Sequence, residues 1–191
     1  MGLIEPRALF ARHRLTVAAY YRMAETGVIG RSARVELIQG EVVDMAPIGT
    51  RHASAVRLLN SLLSAAAQDR AVVAVQDPLH LDDQSEPQPD LMLLRPQAHG
   101  YRQAHPTAAD VLLLIEVSDT SVRYDREIKL PLYAQAGVPE VWIVDLDAGL
   151  LRCHRAPVGD EYTHMQALAQ PGTLAVPGVP AAQVHLSGLF A

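Results

Sequence analysis

Val111-Leu112-Leu113-Leu114-Ile115-Glu116-Val117-Ser118 is the stretch that decides the fold: five apolar residues run without a break into a carboxylate. Continuous apolar character over so short a run marks a central β-strand covered on both faces. Burying an unpaired carboxylate is costly, so Glu116 at the end of this strand needs a partner or a task. Upstream, Pro87 and Pro89 hold the chain extended as it enters Asp90 and the apolar run Leu91 to Leu94. That is a second buried strand with an acid at its mouth. Downstream, Val141 to Val144 with Trp142 forms a third.

Between the last two lies Tyr124 to Ala136, helical in composition but interrupted by Pro131. The helix there starts near Pro131 as a first-turn residue or bends at it, and ends at Gly137. Further out, His52 to Asp69 places Val56, Leu59, Leu63 and Ala66 on one helical stripe, with His52 on the same stripe at its first turn. Arg34 to Met45 reads as a β-hairpin about Gln39-Gly40, and Leu15 to Gly27 as a short amphipathic helix capped by Thr16. Ala71 to Val75 and Leu79 to Leu81 read as two short strands, and residues 95–109 as a surface loop. Residues 150–155 and 161–166 read as an antiparallel pair, and the Pro/Gly-rich tail from Pro171 as a surface wrap. The order of elements defines an α/β (α+β) fold around one mixed sheet, with an N-terminal helix and hairpin.

With 191 residues the chain fits one domain, 1–191, large enough for one core. No apolar run approaches the roughly 20 residues of a membrane span. Glu5, Arg7, Arg12, His13 and Arg14 interrupt the start of the chain, which argues against a signal peptide. The single cysteine, Cys153, excludes an internal disulfide framework, and the expected location is the cytoplasm. The net charge of −5 provides no global attraction for a polyanion, so any nucleic-acid contact is local. Among the 16 basic residues only Lys129 is lysine; it is either a solvated surface residue or one retained for a purpose.

Two acids at the ends of neighbouring core strands, Asp90 and Glu116, can share a hard divalent cation, because Mg²⁺ takes one or two carboxylates and completes its shell with water and phosphate oxygens. Alternatively each simply ends a strand, solvated or capping the following turn. The histidines lack zinc-site spacing, and no Gly-rich phosphate loop or nucleophile elbow is present.

The strings Pro89-Asp90-Leu91, Ile115-Glu116-Val117-Ser118, Lys129-Leu130-Pro131-Leu132-Tyr133 and Ala136-Gly137-Val138-Pro139-Glu140-Val141-Trp142-Ile143-Val144-Asp145, in that order, resemble the Uma family of restriction endonuclease-like proteins. Glu36-Leu37-Ile38-Gln39-Gly40-Glu41 and His52 match its pattern upstream. The family is classed with the PD-(D/E)xK nucleases, which implies a core of helix, three strands, helix and strand over about 52–145. It further implies a metal-dependent endonuclease site using Mg²⁺ or Mn²⁺ at Asp90 and Glu116, with the Val117 carbonyl as a third ligand. The superfamily lysine normally stands two residues after the acid, and here that position is Ser118. The resemblance implies that Lys129, on the following helix, takes its place. Glu36 is then either a third acid of the site or a solvated hairpin carboxylate. His52 is either a site residue, acting neutral at a helix N-terminus, or a packed or capping histidine. Tyr133 hydrogen-bonds in the site or packs in the core, and Asp145 is read as structural.

The function implied is hydrolysis of phosphodiester bonds in nucleic acid, DNA being favoured. The alternative is a nuclease-fold binding or assembly module associated with mobile elements and weak in catalysis. Arg51, Arg57, Arg123 and Arg126 are expected to gather near the site, and a homodimer is a reasonable assembly. A lysine head adds little to a core, so loss of Lys129 is expected to leave folding nearly intact.

Overall fold

The computed structural model describes residues 12–191; Glu5 and Arg7 of the charged N-terminal stretch lie outside the described residues. Helix α1 (Val17–Glu25) is capped by the Thr16 hydroxyl, which accepts from the Ala19 N–H. The hairpin β1 (Val35–Ile38) and β2 (Glu41–Asp44) turns through Gln39 and Gly40 at φ 49° and 75°. Two successive positive φ values give the turn the twist that matches the strands.

A long helix, α2 (Thr50–Ala67), leads into a six-stranded sheet in the order β3 (Val72–Val75), β4 (Leu91–Leu94), β5 (Val111–Ser118), β6 (Glu140–Asp145), β7 (Leu150–Val158), β8 (Glu161–Leu168). Only β5 and β6 run parallel, as the intervening helical segment α3 (122–135) requires. Side-chain alternation divides the sheet into two faces. Leu91, Leu93, Ile115, Val117, Trp142 and Val144 pack with Val56, Leu59 and Leu63 of α2. Met92, Leu94, Leu114, Val141 and Ile143 pack with Tyr133 of α3. Glu116 follows the parity of Leu114 and so points to the α3 side.

Segment α3 is helical from Val122, earlier than Pro131 suggests. It crosses the proline by widening: Asp125–Lys129 form a π-helical turn, closed by the Leu130 N–H on the Asp125 carbonyl. Pro131 lacks an N–H, and its ring crowds the carbonyl four residues back, so a wider turn there relieves the conflict. The result is that Lys129 and Tyr133 both face the sheet.

Two expectations fail. Leu79 to Leu81 form no strand; a lone bridge joins His80 to Thr107, and Leu79 is held by core burial instead. The tail does not merely wrap the surface: β9 (Thr173–Ala175) and β10 (Gln183–His185) pair, and Val176, Val179, Val184, Leu186 and Leu189 complete the core over α2. Periodicity is broken there by Pro and Gly, which hid the buried positions. Among the described residues no helix is long and apolar enough to cross a membrane.

His154 on β7 is buried with Nε2 unpartnered among the described residues, and burial, then Arg126 and Arg152, push its pKa down to about 4. The unfolded chain therefore takes up a proton below about 6.5 that the native state refuses, and this site subtracts stability as pH falls from there towards 4. Comparing urea midpoints of the wild type and His154→Leu at pH 7.5 and 4.5 checks this. The wild type should lose more, and a parallel loss in both proteins counts against it.

Candidate active site

Glu36 of β1, His52 of α2, Asp90 at the entry to β4, Glu116 and Val117 of β5 and Lys129 of α3 all line one cleft of about 470 Å³. The arrangement follows from the fold. The antiparallel β4–β5 register pairs Leu91 with Ile115, which sets Asp90 beside Glu116. The α3 crossover then lays Lys129 over the end of β5.

Lys129 is the centre of charge. Its Nζ lies 3.0 Å from Glu36 Oε2 and 3.3 Å from Glu116 Oε1, with all three side chains buried. Burial works against the ammonium, but Glu116, Glu36 and Asp125 together outweigh it and hold the lysine charged. Glu36 is thus no solvated hairpin acid; the Gln88 N–H also donates to its Oε2 at 3.1 Å. Tyr133 donates its hydroxyl to Glu116 Oε1, so it is both a core residue and a hydrogen-bond partner in the site. Burial pushes the Glu116 carboxyl up from its ordinary value, against the opposing pull of Lys129.

Asp90 is fixed from three sides. The Val117 N–H donates to Oδ2 at 2.9 Å, and the Gln76 amide donates to Oδ1 at 3.3 Å. His52 Nε2 lies 3.0 Å from Oδ1. The hydrogen bond to Asp90 raises the His52 pKa despite burial, in opposition to the helix N-terminus, which favours the neutral ring.

The position two residues after Glu116 has a new task. Ser118 donates to Asp125 Oδ2 at 2.7 Å, and Ser121 donates to the same oxygen at 2.8 Å. Asp125 is buried and opens the π-turn that carries Lys129, so Ser118 anchors the helix that supplies the lysine. No signal in the sequence pointed to Asp125 or Gln76. Tyr124, whose hydroxyl is buried without a partner among the described residues, lines the cleft and sits with its ring centroid 6.0 Å from Lys129 Nζ.

The donor chemistry suits a hard cation. Both recorded contacts to Glu116 use Oε1, leaving Oε2 without a hydrogen-bond partner among the described residues. Asp90 supplies further carboxylate oxygen beside it. No group of three or more His, Cys, Asp or Glu among the described residues forms a closed metal cage. An ion here would rely on two carboxylates, water and substrate oxygens, which is the habit of Mg²⁺.

The four arginines expected near the site, Arg51, Arg57, Arg123 and Arg126, do not line the cleft, although Arg51 reaches its rim through Asp119. Arg34 does line it. Arg51 binds Asp119 and the Leu146 carbonyl, and Arg123 pairs with Glu127 on its own helix. Asp145 is structural, held by Arg152 at 2.7 Å and capping the Ala148 N–H. Cys153 is fully buried, with its thiol pushed up to about 12.

A helix, three strands, a crossover helix and a further strand, with acids at the central strands, define a restriction-endonuclease-like α/β fold. The chain belongs to the Uma2 family, described as "Putative restriction endonuclease", whose model matches residues 17–187. Among solved structures it is similar to a "putative nuclease belonging to DUF820" from Anabaena variabilis, at 14% identity and a TM-score of 0.72, over 92% of this chain and 97% of that one. No curated protein matches.

Proposed function

We propose that the chain is a metal-dependent phosphodiesterase acting on nucleic acid, with DNA the favoured substrate. The observation that carries this reading is the convergence of Asp90, Glu116 and Lys129, which come from three separate elements into one cleft. Asp90 and Glu116 would hold Mg²⁺ or Mn²⁺, with the Val117 carbonyl as a third oxygen. When bound, the metal supplies Lewis acidity and lowers the pKa of water.

The chain's own residues do the rest. Lys129 offers a fixed positive charge to the anion that develops at the scissile phosphate, in a site that shields it from water. Glu36 holds that ammonium in place from the far side, and Tyr133 fixes the rotamer of Glu116. His52 and the Val117 N–H orient Asp90.

Mg²⁺ or Mn²⁺ titrated calorimetrically into the wild type should give weak binding, which Asp90→Ala removes together with hydrolysis of an oligonucleotide. Equal binding by the two proteins would overturn the assignment. One observation favours a second reading, a binding or assembly module. Six acids line the cleft (Glu36, Asp44, Asp90, Glu116, Asp119 and Asp125), against two fixed cations, Arg34 and Lys129. A wild type that is inert with both metals on every nucleic acid, yet binds one, would favour that module.

A further inference from the structure

Of the three basic side chains that line the cleft, two are already engaged by carboxylates: Lys129 lies between Glu36 and Glu116, and His52 against Asp90. The third is Arg34. It is exposed, and its side chain makes one hydrogen bond among the described residues, from Nη1 to the Ala46 carbonyl at 3.1 Å. A guanidinium presents a planar fork of N–H donors, so most of the donor set of Arg34 is unengaged there. Its direction follows from the hairpin. The Met45 N–H donates to the Arg34 carbonyl at 2.9 Å, which carries the β1–β2 ladder one residue beyond Val35. Arg34 and Glu36 therefore stand on the same face, about 6.7 Å apart along the strand. Glu36 is buried and reaches Lys129, whereas Arg34 is exposed, so the pair runs from the floor of the cleft towards its mouth. The guanidinium is near enough to His52 to weigh against protonation of that ring, behind the stronger pull of the Asp90 hydrogen bond. The bond to Ala46 holds a long and otherwise flexible side chain in that place.

We propose that Arg34 is a phosphate clamp: its guanidinium forks onto the non-bridging oxygens of a phosphodiester that enters the cleft. The proposal rests on the phosphodiesterase reading and adds to it a substrate-binding residue. The charges in the cleft call for such a group. Six acids line it, and the one lysine is matched by two of them, so an anionic substrate meets repulsion on arrival. A cation that no carboxylate of the cleft neutralises offsets part of that repulsion at the mouth. The residue type fits as well, because a planar guanidinium meets two phosphate oxygens at once, which a point charge does not. The phosphate so held is the scissile one or its neighbour along the chain, the same chemistry at two places on one substrate.

Arg34→Gln tests the clamp, since its amide can still donate to Ala46 while the charge is gone. Hydrolysis of oligonucleotides and of bis(p-nitrophenyl) phosphate, which has a single phosphodiester, is followed with Mn²⁺. Fluorescence anisotropy with Ca²⁺ measures the affinity of a labelled DNA duplex and of DNA and RNA single strands over a range of salt. In Arg34→Gln the oligonucleotide KM should rise at least about tenfold with a smaller change in kcat, and the log–log salt slope should flatten by about 0.7 to 0.9, the loss of one phosphate contact. Arg34→Lys should restore the slope and only part of the KM. A raised KM on bis(p-nitrophenyl) phosphate as well puts Arg34 on the scissile phosphate, and an unchanged one there puts it on the neighbour. Weaker binding with an unchanged salt slope would make Arg34 a mere prop for the Ala46 wall and overturn the clamp. Unchanged KM and slope, or a wild type that binds none of the three nucleic acids, would overturn it too, whatever the turnover. A wild type that hydrolyses nothing, yet binds nucleic acid with a slope that Arg34→Gln flattens, would sustain the clamp and count against the phosphodiesterase.

Discussion

Lys129→Ala is expected to lower the free energy of unfolding by about 3–5 kcal/mol and hydrolysis by at least about a hundredfold. The stability loss reverses what the sequence alone suggests, namely that a lysine head matters little to a core. Lys129 is buried between Glu36 and Glu116, both also buried, and its removal leaves two carboxylates close together with no compensating charge. Breaking one partner of such a cluster is costly because the other charges remain desolvated. Lys129→Arg should recover little activity: a planar guanidinium needs a wider site than a compact ammonium held by two carboxylates.

Urea unfolding and hydrolysis of bis(p-nitrophenyl) phosphate, run at a temperature where circular dichroism finds the variant folded, separate the two effects. Adding Glu36→Gln to Lys129→Ala removes one orphaned charge, so it should return part of the stability and none of the activity. If Lys129→Ala unfolds at the wild-type urea concentration, the buried triad carries no net weight. If it hydrolyses at the wild-type rate, the lysine has no part in the chemistry.

The same residue marks where the sequence was legible and where it was not. The strand Val111–Ser118 and helix Thr50–Ala67 declare themselves by periodicity, because their burial is one-sided or complete and the apolar count records it. The acids Asp90 and Glu116 stood out because a carboxylate at the end of an apolar run is energetically conspicuous. Glu36, by contrast, lies in a hairpin with strand Val35–Ile38 buried throughout, yet Glu36 alternates with apolar residues as a solvent-facing acid would. Its partner is 93 residues further on, beyond any local pattern. Asp125 and Gln76 were invisible for the same reason: their tasks are hydrogen bonds across elements. Pro131 left the reading of α3 open between a start and a bend, since a proline signals a helix start more often than a widened turn. The arginines failed for a different cause. Nearness in sequence to His52 or Lys129 says nothing about direction, and Arg51 and Arg123 are taken up by Asp119 and Glu127 instead of lining the cleft.

Glu116→Gln should reduce hydrolysis by about a thousandfold or more while making the metal-free protein more stable. The glutamine keeps the shape of the side chain and an oxygen to accept from Tyr133 and Lys129, so the packing around Tyr133 has no reason to change. What it removes is a carboxyl whose ionised form burial already disfavours, at the end of β5 in a cluster that also holds Glu36, Asp90 and Asp125 against one lysine. A gain of 1 kcal/mol would raise the melting temperature by about 2–4 °C in a chain of this size. Metal should reverse the ranking. At a hundred times its dissociation constant an ion adds about 2.7 kcal/mol to a protein that binds it, and a neutral amide forfeits most of that binding. Melting curves with and without Mn²⁺ therefore carry the test: the variant should lead without metal and the wild type should overtake it with metal. If Mn²⁺ shifts both proteins equally, Glu116 is no metal ligand, and the carboxylate must then owe its place at the end of β5 to Lys129 and Tyr133.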